Sequence, residues 1–319
     1  MAGSVFNTYG SMLIKASIDT GRRCASLTRS QSFITKNNLM TTTTQHFSIM
    51  KQLAMIFAVV AMTTGSIQAN FVTFESVGSN PAAIAPTRDA FRAAVGGGTV
   101  AGANGSFGGE RREINWDGVP SVRADSNSLP ADFFNVNSPR GVVLSTPGTG
   151  FLVSASGGSG TSPLFGFSSD FQTFSAERLF TAVNSNVTDV QFFVPGTNIA
   201  ATTTAFGAIF VDAEVAGLTK IQFFDRNNQL IYSHDALVGG NQSLSFLGAV
   251  AGAGEEISRV RITSGLNTIV SNGVLGNPNN DVVVMDDFLY AEPQAVPEPT
   301  GFMLASIGLV LVLVSVRGR

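Results

Sequence analysis

Residues 218–234 read LTKIQFFDRNNQLIYSH, and their alternation decides the fold class. Lys220, Gln222 and Asp225 interleave with the apolar Ile221 and Phe223. Successive side chains of an extended chain point to opposite faces, so a period of two marks a strand with one wet and one dry face. Asp225-Arg226-Asn227-Asn228 supplies turn residues, and Gln229–Ser233 runs back. The stretch is therefore a β-hairpin.

The same grammar extends in both directions. In ISRVRIT (257–263), Ile257, Val260 and Ile262 alternate with Ser258, Arg259 and Arg261. VTDVQFFVPG (187–196) alternates and stops at Pro195-Gly196. GVVLS (141–145), GFLVSAS (150–156), RLFTAV (178–183), FGAIFVDAEV (206–215), QSLSFLGAV (242–250) and DVVVMDDFLYAE (281–292) are short apolar runs between turn signals. FVTFES (71–76) reads as an opening strand. About ten or eleven strands with almost no helix predict an all-β, antiparallel β-sandwich over residues 70–292. Its expected core is Phe192, Phe206, Ile209, Ile221, Phe223, Ile231, Phe246, Val260, Ile262, Val283 and Phe288. One short helix is expected near the start, in PTRDAFRAAVGGG (86–98). Thr87 is its N-cap, Phe91, Ala94 and Val95 share one face, and glycines stop it.

Composition narrows the function. Only 13% of the 319 residues are charged, Gly numbers 34, and Phe (25) far outnumbers Trp (1) and Tyr (3). That profile fits a turn-rich β protein of the cell exterior. Residues 70–300 carry eleven basic and twenty-one acidic side chains, a net of minus ten. Such a body repels phosphate backbones and argues against nucleic acid as a partner. Cys24, the single cysteine, precedes the body, so no disulfide or Cys-based metal site forms there. GGGTVAGANGSFGGE (96–110) lacks the Gly-Lys-Ser/Thr ending of a phosphate-cradling loop. His234 is the only histidine of the body and no G-x-S-x-G occurs, so a Ser-His-Asp triad has no sequence basis. No motif raises one pair of acids above the rest for glycoside hydrolysis. In GERREINWDGVPS (109–121), Trp116 sits beside Asp117-Gly118, a turn signal. An exposed Trp can stack on a sugar ring, which makes Trp116 the candidate ligand-binding residue; a core or lid position is the alternative.

The ends carry addresses. MKQLAMIFAVVAMTTGSIQA (50–69) has a basic start at Lys51, an apolar run from Leu53 to Met62, and a small-residue end. It reads as a secretory signal peptide, an apolar helix cleaved after Ala69. Residues 1–49 are Ser/Thr-rich and basic without periodicity, expected to be disordered or an over-extended start, with Met50 the initiator. At the other end, Phe302 to Val316 is a 15-residue apolar run. As a helix it spans roughly 22 Å, short of the roughly 30 Å bilayer core, so it is a strained transmembrane helix. Arg317 and Arg319 would face the cytoplasm.

Pro297-Glu298-Pro299, the apolar run and the terminal arginines together resemble a PEP-CTERM sorting signal, over residues 293–319. The resemblance implies recognition by an exosortase, transient residence in the inner membrane, cleavage at or near Pro-Glu-Pro, and delivery to the envelope or extracellular polysaccharide matrix of a Gram-negative-type bacterium. The body's opening FVTFES and closing VVVMDDFLYAE resemble extracellular jelly-roll domains of the galactose-binding and carbohydrate-binding-module kind. In many of these the first and last strands are neighbours and share a structural calcium. By that resemblance Glu75 and Asp286 or Asp287 are candidate Ca²⁺ ligands, compatible with the oxygen donors that calcium takes. The function expected is that of a non-catalytic exported protein, with no cofactor beyond that calcium. A carbohydrate-binding module is the alternative, and a polysaccharide-active hydrolase a further one.

Overall fold

The structure, a computed structural model, describes residues 70–270 and 281–296. The predicted hairpin is present: Lys220–Phe224 (β10) pairs antiparallel with Leu230–Asp235 (β11), and Asp225 Oδ1 accepts from the backbone N–H of Asn227 and of Gln229, both at 2.8 Å. The other strands are Phe71–Gly78 (β1), Ser106–Phe107 (β2), Arg111–Ile114 (β3), Val142–Ser145 (β4), Gly150–Val153 (β5), Phe180–Val183 (β6), Val187–Phe192 (β7), Ala201–Thr202 (β8), Ala205–Val211 (β9), Leu244–Ala251 (β12), Arg259–Thr263 (β13), Val284–Ala291 (β14) and Gln294–Ala295 (β15).

Two antiparallel sheets pack face to face. One runs β11-β10-β13-β7-β4, and the other runs β1-β12-β9-β14-β3-β2, with β6 and β5 branching from β14. Ile221, Phe223, Val260, Ile262, Val190 and Phe192 of the first sheet meet Phe206, Phe210, Leu247, Phe288 and Tyr290 of the second. The first sheet keeps the alternation seen in sequence: β10 and β13 bury every second residue, and their polar residues face outward. The second is buried on both faces, every residue of β9 and β14 being covered. A strand covered on both sides has no polar face to keep, which is why FGAIFV and VVVM read as unbroken apolar runs.

What covers the outer face is a helix, Pro81–Val95 (α1), with the loop that carries Phe165 and Phe171. Two of the expected core residues, Ile209 and Phe246, belong to this second core rather than to the space between the sheets. Ile231 is only partly buried.

The helix starts earlier than the sequence predicts. Asn80, not Thr87, is the N-cap: its Oδ1 accepts from the Ala83 N–H at 3.2 Å, and Pro81 takes the first helical position. Pro86 lies inside the helix on its exposed side. Ile84 and Phe91, seven residues apart, point at the sheet, while Ala94 is exposed. β2 and β3 lie where the sequence predicts no strand. Arg111 and Arg112 of β3 are both buried and their charges are satisfied: Arg112 forks onto Glu292, with contacts of 2.7–2.9 Å, and Arg111 Nε donates to Glu113 at 3.0 Å.

Candidate functional site

β14 is irregular at one point. Met285 opposes Phe210 of β9, and Phe288 opposes Ala208, so three steps on β14 match two on β9. This is a β-bulge. Met285 and Phe288 both face the core between the sheets. The two residues between them, Asp286 and Asp287, therefore turn to the helix side instead of alternating. The bulge also marks a change of partner: β14 pairs with β6 at Met285 and with β3 from Phe288 onward.

Trp116 fills the fork between β6 and β3. Its Nε1 donates to the Asp286 carbonyl at 2.7 Å, satisfying a backbone acceptor that the bulge frees from the ladder. Its ring stacks on Phe180 at 4.0 Å and meets Phe134 and Phe288 edge-on. The residue is 1% exposed. The expectation of a loop Trp offered to a sugar ring is thus corrected: Asn115 and Asp117 flank a tryptophan at left-handed φ (65°) whose ring turns inward and is covered.

On the helix side the two carboxyls converge. Ser175 Oγ lies 3.0 Å from Asp286 Oδ1 and 2.8 Å from Asp287 Oδ1, and the Phe174 N–H donates to Asp286 Oδ2 at 2.6 Å. Burial, and then the charge of Asp287, push the Asp286 carboxyl well above the usual carboxylate range. Burial also raises Asp287, while Arg92 opposes that rise. The two carboxyls thus sit side by side on one hydroxyl, and the rise is larger for Asp286.

Asp287 and Ser175 open into a cleft of about 620 Å³ between α1 and the edge of β3, walled also by Arg88, Arg92, Asn115, Arg140 and Phe174. Arg92 grips Glu113 through Nε and Nη2 at 2.7 and 2.6 Å. Glu113 also receives Arg111, so one carboxylate holds two guanidiniums. Arg88 pairs with Asp89 and stands over the Phe174 ring at 4.7 Å. The lining combines fixed cationic donors with a carboxylate acceptor, which suits a polar ligand rich in hydroxyls.

Sequence reasoning named Asp286 and Asp287, but with a different companion. Glu75 bonds His234 of β11 at 2.8 Å, tying the outer edges of the two sheets together. Two strands, β12 and β9, stand between β1 and β14. The first and last long strands are not neighbours, and Glu75 does not converge with Asp286 or Asp287. The calcium site implied by resemblance does not fit these residues. Among the described residues, no group of three or more His, Cys, Asp or Glu is placed to hold a metal ion. The cleavage residue Ala69, the sorting residues Pro297, Glu298, Pro299, Arg317 and Arg319, and the apolar run 302–316 lie outside the described residues.

Arg88, Arg92, Glu113 and Arg140 were missed by sequence reasoning. The available signal was the density of arginine in an otherwise acidic body: five of its ten arginines fall at 88, 92, 111, 112 and 140. No protein-family model matches the chain, and neither a curated protein nor a solved structure matches it.

Proposed function

We propose that this is an exported, non-catalytic protein with a jelly-roll-like sandwich body, which an exosortase sorts through Pro297-Glu298-Pro299 to the cell envelope or extracellular polysaccharide matrix. Residues 50–69 direct export, with cleavage after Ala69. Residues 302–316, stopped by Arg317 and Arg319, hold the chain in the inner membrane until it is cut. The observation that carries this reading is the order of the signals in the sequence: a basic start and an apolar run that end in small residues at Ala69, and Pro297-Glu298-Pro299 followed by an apolar run and two arginines.

In this reading the body holds matrix polysaccharide in the cleft beside Asp287. A hydrolase fits the cleft less well. Asp286 and Asp287 share one hydroxyl, whereas the carboxyl pair of a glycosidase flanks open space for the scissile bond. Asp286 is also sealed from solvent. Turnover on a panel of polysaccharides would favour the hydrolase.

The sorting half is tested by replacing Pro297-Glu298-Pro299 with alanines and fractionating the cells. The altered protein should stay uncut in the inner membrane. Normal arrival in the matrix fraction would refute the exosortase reading.

A further inference from the structure

The polysaccharide reading leaves the charge of the ligand open, and one side chain decides it. Arg140 lines the cleft and is half-buried. Its Nε donates to the Glu113 carbonyl at 3.0 Å, its Nη1 bonds Ser138 Oγ, and its guanidinium lies 5.2 Å from the Phe134 ring centre. A side chain at Gly105 would collide with it: a Cβ there would stand 2.6 Å from Nε and 3.1 Å from Nη2. The guanidinium is thus held from several sides.

Yet it forms no ion pair with a described acid. Arg88 has Asp89, Arg92 and Arg111 share Glu113, and Arg112 has Glu292. Burial, and then repulsion from Arg112, push the Arg140 pKa down. A partly desolvated cation without a counter-charge costs free energy that an incoming anion recovers. The body as a whole is acidic, so its long-range field does not gather anions. Whatever anion selectivity exists must come from this local arrangement.

The acceptor side of the cleft is Asp287, whose Oδ1 stands 2.8 Å from Ser175 Oγ, together with Glu113. Their carboxyl oxygens accept hydrogen bonds from hydroxyl groups. The matching ligand therefore carries a carboxylate and several hydroxyls. The space also continues: a second cleft of about 420 Å³ shares Arg92 and Phe107 with the first and adds Arg111 and the backbone of Gly97 and Gly98. Two clefts joined at a shared wall take a chain of units better than a single one.

We propose that this groove binds an acidic glycan, with a uronic acid unit setting its carboxylate on Arg140 and its hydroxyls on Asp287. This rests on the polysaccharide reading above, and narrows it. Arginine suits the role because its planar fork presents two parallel donors to a carboxylate.

The test is calorimetric titration of the protein, purified after expression of the full chain, with a trimer of α-1,4-linked galacturonic acid and with the matching neutral galactose trimer. Sodium sulfate serves as a simple-anion control. The acidic trimer should bind at least tenfold more tightly than the neutral one, and added salt should weaken it. Arg140→Gln should remove that tenfold preference by weakening the acidic trimer, and Arg140→Lys should restore part of it. Should Arg140→Gln lower the melting temperature sharply, Arg88→Gln, on the same cleft wall, replaces it and should reduce the preference. Equal affinity for both trimers would overturn the acidic inference and leave the polysaccharide reading standing. Sulfate binding as tightly as the acidic trimer would reduce the groove to an anion site and also overturn it. No binding by either trimer, nor by any glycan of a broad array, would overturn both.

Discussion

Trp116 shows what one residue contributes. It is the only tryptophan of the chain, and it closes the fork where β14 changes partner. Trp116→Ala should therefore cost about 3–5 kcal/mol of stability, as large aromatic truncations in cores do. Intrinsic fluorescence should be blue-shifted and poorly quenched by acrylamide, and a solvent-like spectrum would contradict the burial. Its flanking turn residues were legible in sequence, but the direction of its ring was not. That direction depends on Phe180, sixty-four residues away, and on a carbonyl freed by a bulge.

Asp212 makes a second prediction at this scale. It follows β9 at left-handed φ (71°), and its Oδ1 accepts from the Gln242 N–H at 2.8 Å. Burial, and then the neighbouring acids Glu214, Asp170 and Asp281, raise its pKa from 3.8 to about 7. The folded state therefore binds this proton more tightly than the unfolded state does. The stabilising contribution is complete below about pH 4 and is lost as pH rises through about 7. Asp212→Asn keeps an acceptor and tolerates the left-handed backbone. It should raise the melting temperature at about pH 8, flatten the decline between about pH 4 and 7, and change little below that. At about 1.4 kcal/mol per pKa unit, the gain is at most about 4 kcal/mol. An unchanged pH profile would contradict the account.

Among the elements, α1 depends on a missing side chain. Gly248 of β12 faces Gly207 of β9 in register, and a Cβ at 248 would stand 2.9 Å from the Phe91 ring. Gly248 forms the seat into which Phe91 packs, between Phe74 and Phe246. Gly248→Ala should destabilise by about 1–3 kcal/mol through overpacking. Adding Phe91→Leu, a smaller side chain, should recover part of that loss in a denaturant titration. The helix's glycine stop was legible in sequence but its start was not, because Pro86 reads as the residue before a cap at Thr87 while Asn80-Pro81 supplies the true cap. β3 stayed hidden for a different reason. Arg-Arg-Glu looks like surface, and only tertiary partners, Glu292 and the carbonyls of Gly96 and Gly98, make it a buried strand. The hairpin at 220–235 needed no such partners, and its alternation was sufficient.

Across the whole molecule, the sandwich has one sheet with a wet face and one buried on both sides. The wet sheet was readable from its period of two. The double burial explains why β9 and β14 read as apolar throughout, and it leaves the helix side of β14 as the place where polar groups need partners. Asp286 and Asp287 could be picked out in VVVMDDFLYAE. That they share a face could not, because the bulge arises from pairing with β6, β3 and β9 at once. The proposal of export and sorting, in turn, rests on short linear signals at 50–69 and 297–319.

Those signals make the central claim measurable in a single experiment, intact-mass spectrometry of the protein recovered from cells that produce it natively. The account predicts a main species that has lost mass at both ends, beginning after Ala69 and ending at or near Pro297–Pro299. A main species that still carries residues 302–319 would contradict it.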